Sequence, residues 1–190
     1  MHRPRIDRCD GVYEPREDSF LLMDAVERYA YGRVLDVGTG SGVQGICAAL
    51  MGCKVTFVDI DARALECARG NAELNGVDGE FILSDMFDKV EGRYDTIIFN
   101  PPYVPTDSVD DLTTDGGRSG REAIDRFLGE FRRYVSEDYV VLMIESSLNN
   151  YEQDVEMFGA DVVCERELQG ERIVVLRFGS GRQHIGGVRL

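Results

Sequence analysis

The chain has no apolar run approaching the roughly 18 residues a membrane helix needs, so it is not expected to span a bilayer. The opening Met1-His2-Arg3-Pro4-Arg5 is basic, but no apolar stretch follows it. No secretory leader is therefore expected. Histidine is scarce: His2 and His184, both near the ends, are the whole supply. No histidine general base is expected. Five cysteines are present, an odd and scattered set with no Cys-x-x-Cys pair. That pattern argues against a disulfide framework and against a zinc site, and no metal ligands are expected. It suggests free thiols, some of them small core residues, in a reducing cytoplasm. Basic clusters are also missing; the nearest is Arg132-Arg133.

The charge that is present is acidic. Thirty-five Asp and Glu stand against 21 Lys and Arg, for a net charge of −14. Such a surface repels nucleic-acid phosphates, so nucleic acid is not the expected partner. It suits a basic partner or a salty cytoplasm. At 190 residues and 43% hydrophobic, the chain suits one domain, placed at 1–178, with a glycine-rich tail at 179–190.

Two periods alternate along it. Phe20 to Tyr29 carries a helical apolar stripe, Val43 to Leu50 reads as a helix, and Ala62 to Leu74 is an alanine-rich helix stopped near Asn75-Gly76. Between them lie short β-branched runs: Val34–Val37, Lys54–Val58, Glu80–Leu83 and Tyr94–Phe99. Ser119 and Glu122 have capping-box spacing and predict a helix there, with Ile124, Phe127, Leu128, Phe131 and Val135 on its apolar face. Tyr139–Ile144 reads as a buried strand and Asn150–Phe158 as a helix. Asp161–Leu168 and Arg172–Phe178 read as a hairpin turning near Gly170. The alternation predicts an α/β fold: a Rossmann-like, seven-stranded, mostly parallel sheet with one antiparallel strand and helices on both faces.

Ligands of such sheets bind beyond the carboxyl ends of the strands. Four successive strands end there in polar residues: Asp36, Asp59, Asp85 and Asn100. Asp36-Val37-Gly38-Thr39-Gly40-Ser41-Gly42 joins a strand to a helix. Its glycines allow a tight turn and close backbone approach to a ligand. The spacing is Gly-x-Gly-x-Gly, unlike the dinucleotide fingerprint, and no Lys-Ser/Thr follows as in a P-loop. Asp36, two residues before the first glycine, suits a cationic or amine-bearing ligand. Asp59 can accept both ribose hydroxyls of a nucleoside. Asp85 can accept from an adenine amine, with Met86 against the ring. Together these features resemble the class I methyltransferases over roughly residues 12 to 178. The resemblance implies S-adenosylmethionine as cofactor, with Gly38 and Gly40 along its methionyl part, Asp59 on the ribose and Asp85 on the adenine.

Asn100-Pro101-Pro102-Tyr103 follows the fourth strand. Two prolines stiffen the backbone where a planar group must be held. The Asn100 side-chain oxygen and the Pro101 carbonyl offer two acceptors, which matches the two hydrogens of an NH₂ group. Tyr103 offers a stacking face, and Pro102 completes the substrate contact. Asn100, Pro101 and Tyr103 are the expected catalytic group, for methyl transfer to a planar nitrogen. An adenine N6, a guanine N2 and a glutamine amide all qualify.

Two further stretches bear on that choice: Tyr13-Glu14-Pro15-Arg16-Glu17-Asp18-Ser19-Phe20 and Gly116-Gly117-Arg118-Ser119-Gly120-Arg121-Glu122. They resemble the archaeal and eukaryotic HemK-like protein-glutamine methyltransferases. That resemblance implies N5-methylation of the glutamine in the Gly-Gly-Gln loop of the class-1 peptide release factor. It also implies that Ser19 and Asn100 touch the cofactor and that Asn100 touches the substrate glutamine as well. A small zinc-binding activator subunit is the implied partner. The alternative is an N6-adenine or N2-guanine methyltransferase acting on DNA or RNA. The long segment from Val104 to Ser119, with Asp107, Asp110, Asp111 and Asp115, is a candidate acidic substrate lid.

Overall fold

The computed structural model describes residues 3–105 and 119–179. Its elements in order are α1 (Glu17–Tyr29), β1 (Arg33–Val37), α2 (Val43–Leu50), β2 (Lys54–Asp59), α3 (Ala62–Asn75), β3 (Gly79–Leu83), β4 (Tyr94–Phe99), α4 (Glu122–Glu130), β5 (Val135–Ser146), α5 (Tyr151–Phe158), β6 (Asp161–Leu168) and β7 (Glu171–Phe178). The strands form one sheet in the order β3-β2-β1-β4-β5-β7-β6. The first five are parallel, and β7 runs antiparallel to both β5 and β6. This is the expected α/β class with one reversed strand.

Alternation along each strand sends side chains to two cores. Val34, Val140, Leu142 and Ile144 pack on one face with Leu22 and Val26 of α1 and Ile46 of α2. Leu35, Val141 and Met143 pack on the other with Ile124 and Phe127 of α4 and Tyr151 of α5. Strand order reverses at β1, between β2 and β4. Two neighbouring crossovers leave the sheet there in opposite directions, which opens a crevice at the carboxyl ends.

Helix ends are partly as predicted. Asp61 caps α3, accepting from the Arg63 N–H. The capping box at Ser119 is not formed: α4 begins at Glu122 after Arg121, without a side-chain cap. Helix α1 starts at Glu17 rather than Phe20, and β5 reaches back to Val135. Arg121 instead pairs with Asp125 one turn along α4 and with Asp154 of α5.

The cysteine reading needs correcting. Cys9 and Cys67 form a disulfide across a separation of 58 residues. It joins the segment before α1 to α3, where Asn75 accepts from Arg5 N–H and Asn71 from Asp7 N–H, both at 2.8 Å. Spacing could not reveal this pair, because only the packing of the N-terminal segment on α3 brings the two sulfurs together. Cys47 is a buried core residue as expected, and burial pushes its thiol up to about 12. Among the described residues, no helix is long and apolar enough to cross a membrane. The tail beyond Gly179, the acidic residues of the candidate lid and the Gly116–Arg118 half of the second stretch lie outside the described residues.

Candidate active site

A cleft of about 1370 Å³ opens at the carboxyl ends of β1, β2 and β4. Single ligand pockets run to roughly 1000 Å³, so this one has room for a cofactor and an incoming side chain. Every predicted site residue lines it: Ser19, Asp36, Gly38, Gly40, Asp59, Asp85, Met86, and Asn100 through Tyr103.

The glycine loop is organised from below. Asp36 Oδ2 accepts from the Thr39 hydroxyl at 2.6 Å and from Gly45 N–H at 2.9 Å. Burial raises the Asp36 carboxyl to about 7, against the lowering effect of those two donors. Its observed work is thus to hold the turn. Gly38 and Gly40 take φ of +60° and +54°, a region that side chains disfavour. A Cβ on Gly40 would meet nothing within 4 Å, so its backbone is bare on that side.

Asp59 ties the loop to β2. Its Oδ2 accepts from Gly40 N–H and its Oδ1 from Asp61 N–H, both at 2.9 Å. Each oxygen spends one lone pair and keeps another. Burial raises this carboxyl as well. Asp85 is engaged by Arg126 of α4, whose Nη1 lies 2.7 Å from Oδ1. Met86 follows with φ +46°, a left-handed backbone that methionine rarely adopts. Such strain is characteristic of residues aimed at a ligand.

The Asn100 amide has a defined orientation. Its Nδ2 donates to Asp18 Oδ2 at 3.0 Å. Asp18 Oδ1 accepts from the Tyr13 hydroxyl at 2.9 Å and from Ser19 Oγ at 3.3 Å. A carboxylate cannot donate, so the nitrogen of Asn100 must face Asp18 and its oxygen must face away. That oxygen is buried and has no partner. An orphaned buried acceptor costs about 1–3 kcal/mol and is satisfied when a donor arrives. Tyr103 is half-buried beside it, and burial raises its phenol, which stays protonated.

Asp18 is the residue that sequence reasoning missed. It lies in the quoted Tyr13–Phe20 stretch, but a side chain in the first turn of a helix usually serves that helix end. Only the fold brings it to Asn100, 82 positions away. Gln44 is a second: buried, with Nε2 on the Ser19 carbonyl at 2.8 Å and an unpartnered Oε1.

The bare glycine backbone, the spare lone pairs of Asp59 and the acidic walls fit S-adenosylmethionine, whose sulfonium and ammonium are both cationic. A sheet with this order and a reversed β7, carrying such a cleft beyond β1 and β4, defines a class I methyltransferase.

Comparison with known proteins gives the family. The methyltransferase small domain matches residues 14–116. A Methanocaldococcus jannaschii protein, provisionally named a protein N5-glutamine methyltransferase, is 40% identical over 151 residues, covering 76% of this chain and 77% of that one. The release factor glutamine methyltransferase of Agrobacterium fabrum is 40% identical over 132 residues, covering 56% of this chain and 45% of that protein. In structure, a Pyrococcus furiosus methyltransferase superposes with a TM-score of 0.67 at 22% identity, covering 91% of each chain. The chain belongs to the methyltransferase small-domain family, in its HemK-like branch, and it is an S-adenosylmethionine-dependent enzyme.

Proposed function

We propose that this enzyme transfers a methyl group to the side-chain nitrogen of a glutamine, the one in the Gly-Gly-Gln loop of the class-1 peptide release factor. The observation that carries the reading is the buried, unpartnered Oδ1 of Asn100. It faces the cleft because Asp18 holds the other end of the amide.

In this reading Gly38, Gly40 and Asp36 border the methionyl part of the cofactor, and Ser19 lies beside it. Asp59 takes the ribose hydroxyls, while Asp85 and Met86 take the adenine. Bound S-adenosylmethionine supplies an activated methyl on a sulfonium. Asn100 Oδ1 and the Pro101 carbonyl accept the two hydrogens of the glutamine NH₂. Tyr103 and Pro102 hold the amide plane. An amide nitrogen is a poor nucleophile because its lone pair is delocalised. Two acceptors favour the positive charge that builds on nitrogen as the N–CH₃ bond forms and the S–CH₃ bond breaks. One N–H proton of the methylated amide then passes to solvent water, which leaves the neutral N-methyl amide. No histidine is needed.

The choice of glutamine over adenine or guanine is supported by the named relatives and by the net charge of −14. A small zinc-binding activator subunit is part of the proposal and rests on the HemK-like resemblance. Strand β3 offers a surface for it, being a sheet edge with Leu83 exposed. Release factors act in the cytoplasm, and we place the enzyme there. A disulfide does not forbid this, since some lineages keep intracellular disulfides.

The test is incubation with labelled cofactor, with and without the activator, against release factor and against DNA and RNA. Label in the release factor, lost on Gln→Asn in its Gly-Gly-Gln loop, is expected. Label in nucleic acid alone would overturn the proposal.

A further inference from the structure

Beneath the cleft, three parts of the chain meet at one side chain. Asn149, 1% exposed, ends the short turn Ser147–Asn149 that follows β5. Its Nδ2 donates to the Tyr103 carbonyl at 2.8 Å and to the Gly120 carbonyl at 3.2 Å. Its Oδ1 accepts from Ser146 N–H at 3.1 Å. Both amide hydrogens are therefore spent on backbone carbonyls, one of them belonging to the residue whose ring faces the site.

Gly120 shows the same constraint independently. It takes φ +69°, and a Cβ there would lie 2.3 Å from the Tyr103 carbonyl oxygen and 2.5 Å from Asn149 Nδ2. Only glycine brings its backbone this close. Arg121 secures the turn from behind: Nη1 reaches the Asn149 carbonyl at 2.7 Å and Asp154 Oδ2 at 2.8 Å, and Nη2 reaches Asp154 Oδ1 at 3.0 Å and Asp125 Oδ1 at 2.7 Å. A planar guanidinium gripped at both ends fixes direction as well as distance. Asn149, Arg121 and Asp154 do not line the cleft.

We infer that Asn149, backed by Arg121, is a positioning residue for methyl transfer, holding the Tyr103 backbone so that the Tyr103 ring and the Asn100 acceptor keep one geometry against the incoming NH₂. This rests on the reading that the acceptor meets Asn100 and Tyr103, and is independent of whether that acceptor is glutamine. Misplacing a reacting group by about 1 Å costs on the order of 100-fold in rate.

Asn149→Asp tests it. The side chain keeps its shape and its acceptor for Ser146, loses both donors, and sets an oxygen against two carbonyl oxygens. Amide hydrogen exchange at Asn100, Tyr103, Val104 and 119–122 is expected to speed up at least about tenfold, with β1 and β4 unchanged. At saturating cofactor and acceptor, kcat is expected to fall about 10- to 100-fold, while the cofactor Kd stays within about threefold. A purely structural role would lower the melting temperature and leave kcat per folded molecule alone. Unchanged exchange at Asn100, Tyr103 and Val104, or kcat within twofold of the parent, overturns the inference. Should Asn149→Asp not fold, Arg121→Lys keeps the charge and loses the fork. It should move both readouts the same way, less far, and no movement in either is equally fatal. Turnover is measured on whichever acceptor the parent enzyme labels, so nucleic-acid label alone sinks the glutamine reading and leaves this one to be decided. Unchanged hydrogen exchange overturns it with no acceptor at all.

Discussion

Asp18→Asn is the sharpest test of the site. In the parent protein two donors, the Tyr13 and Ser19 hydroxyls, hold Asp18 Oδ1, and Asn100 Nδ2 holds Oδ2. In the variant the two donating hydroxyls favour the remaining oxygen on their side, so the new NH₂ takes the place of Oδ2. It then faces the Asn100 nitrogen, donor against donor. The Asn100 amide relieves this by turning over, which presents N–H to the cleft where Oδ1 stood. The charge-assisted bond that favoured the original orientation is worth about 1.5–3 kcal/mol, and at 1.36 kcal/mol per tenfold that predicts a kcat lowered roughly 10- to 100-fold. Asn100→Ala removes the acceptor outright and should cost about 100- to 1000-fold, as loss of one oriented group in a transition-state site does. The double variant is decisive. With no amide left to turn, Asp18→Asn should add less than about twofold to Asn100→Ala, a non-additivity of roughly 1.5–3 kcal/mol. Single-turnover transfer from saturating cofactor reads the rate, and calorimetry reads the cofactor Kd, which should stay within several-fold. Two losses that simply multiply would refute the claim that Asp18 acts through Asn100.

Other expectations follow from the same contacts. Reducing the Cys9–Cys67 bond releases a constraint across 58 residues, worth roughly 4 kcal/mol by chain entropy. A calorimetric melting temperature about 10 °C lower is expected, and no shift would mean the bond does not form. Asp36 is raised from 3.8 to about 7 in the fold. Between those values the unfolded chain has lost its proton and the native state keeps it, so this group makes stability fall as pH rises. Asp36→Asn should flatten the urea-derived stability slope across that window, and an unchanged slope would count against the burial argument. On Gly45 a Cβ would lie 2.3 Å from the buried Phe57 ring. Gly45→Ala should therefore destabilise by about 1–3 kcal/mol, read as a lower urea midpoint. Asp85→Ala should weaken the cofactor by about tenfold, the value of one net hydrogen bond; an unaltered Kd would remove Asp85 from the adenine site.

Much of this site was legible because its groups are set by position along single strands. Asp36, Asp59 and Asn100 each end a parallel strand, and a parallel sheet lines such ends up whatever the crossovers contain. The Gly-x-Gly-x-Gly run and the two prolines carry backbone constraints that are local, so they show in sequence. The reversed strand was readable from the short Leu168–Glu171 connection, which is too short for a crossover. What failed had a distant cause. Ser119 and Glu122 stand at cap spacing, yet Gly120, at φ +69° against the Tyr103 carbonyl and Asn149, is not helical, and α4 begins at Glu122. The pairing of Asp85 with Arg126, 41 positions away, could not be read from spacing either.

The sequence alone therefore determined the sheet, the glycine loop and the stiff Asn100–Tyr103 run, because these depend on period, spacing and backbone freedom. Tertiary structure decided the rest: that Asp18 turns the Asn100 amide, that Asn149 holds Tyr103, and that Cys9 meets Cys67. Each of those joins residues at least 46 positions apart. Residues that far apart are brought within bonding distance only when the sheet and its helices have packed.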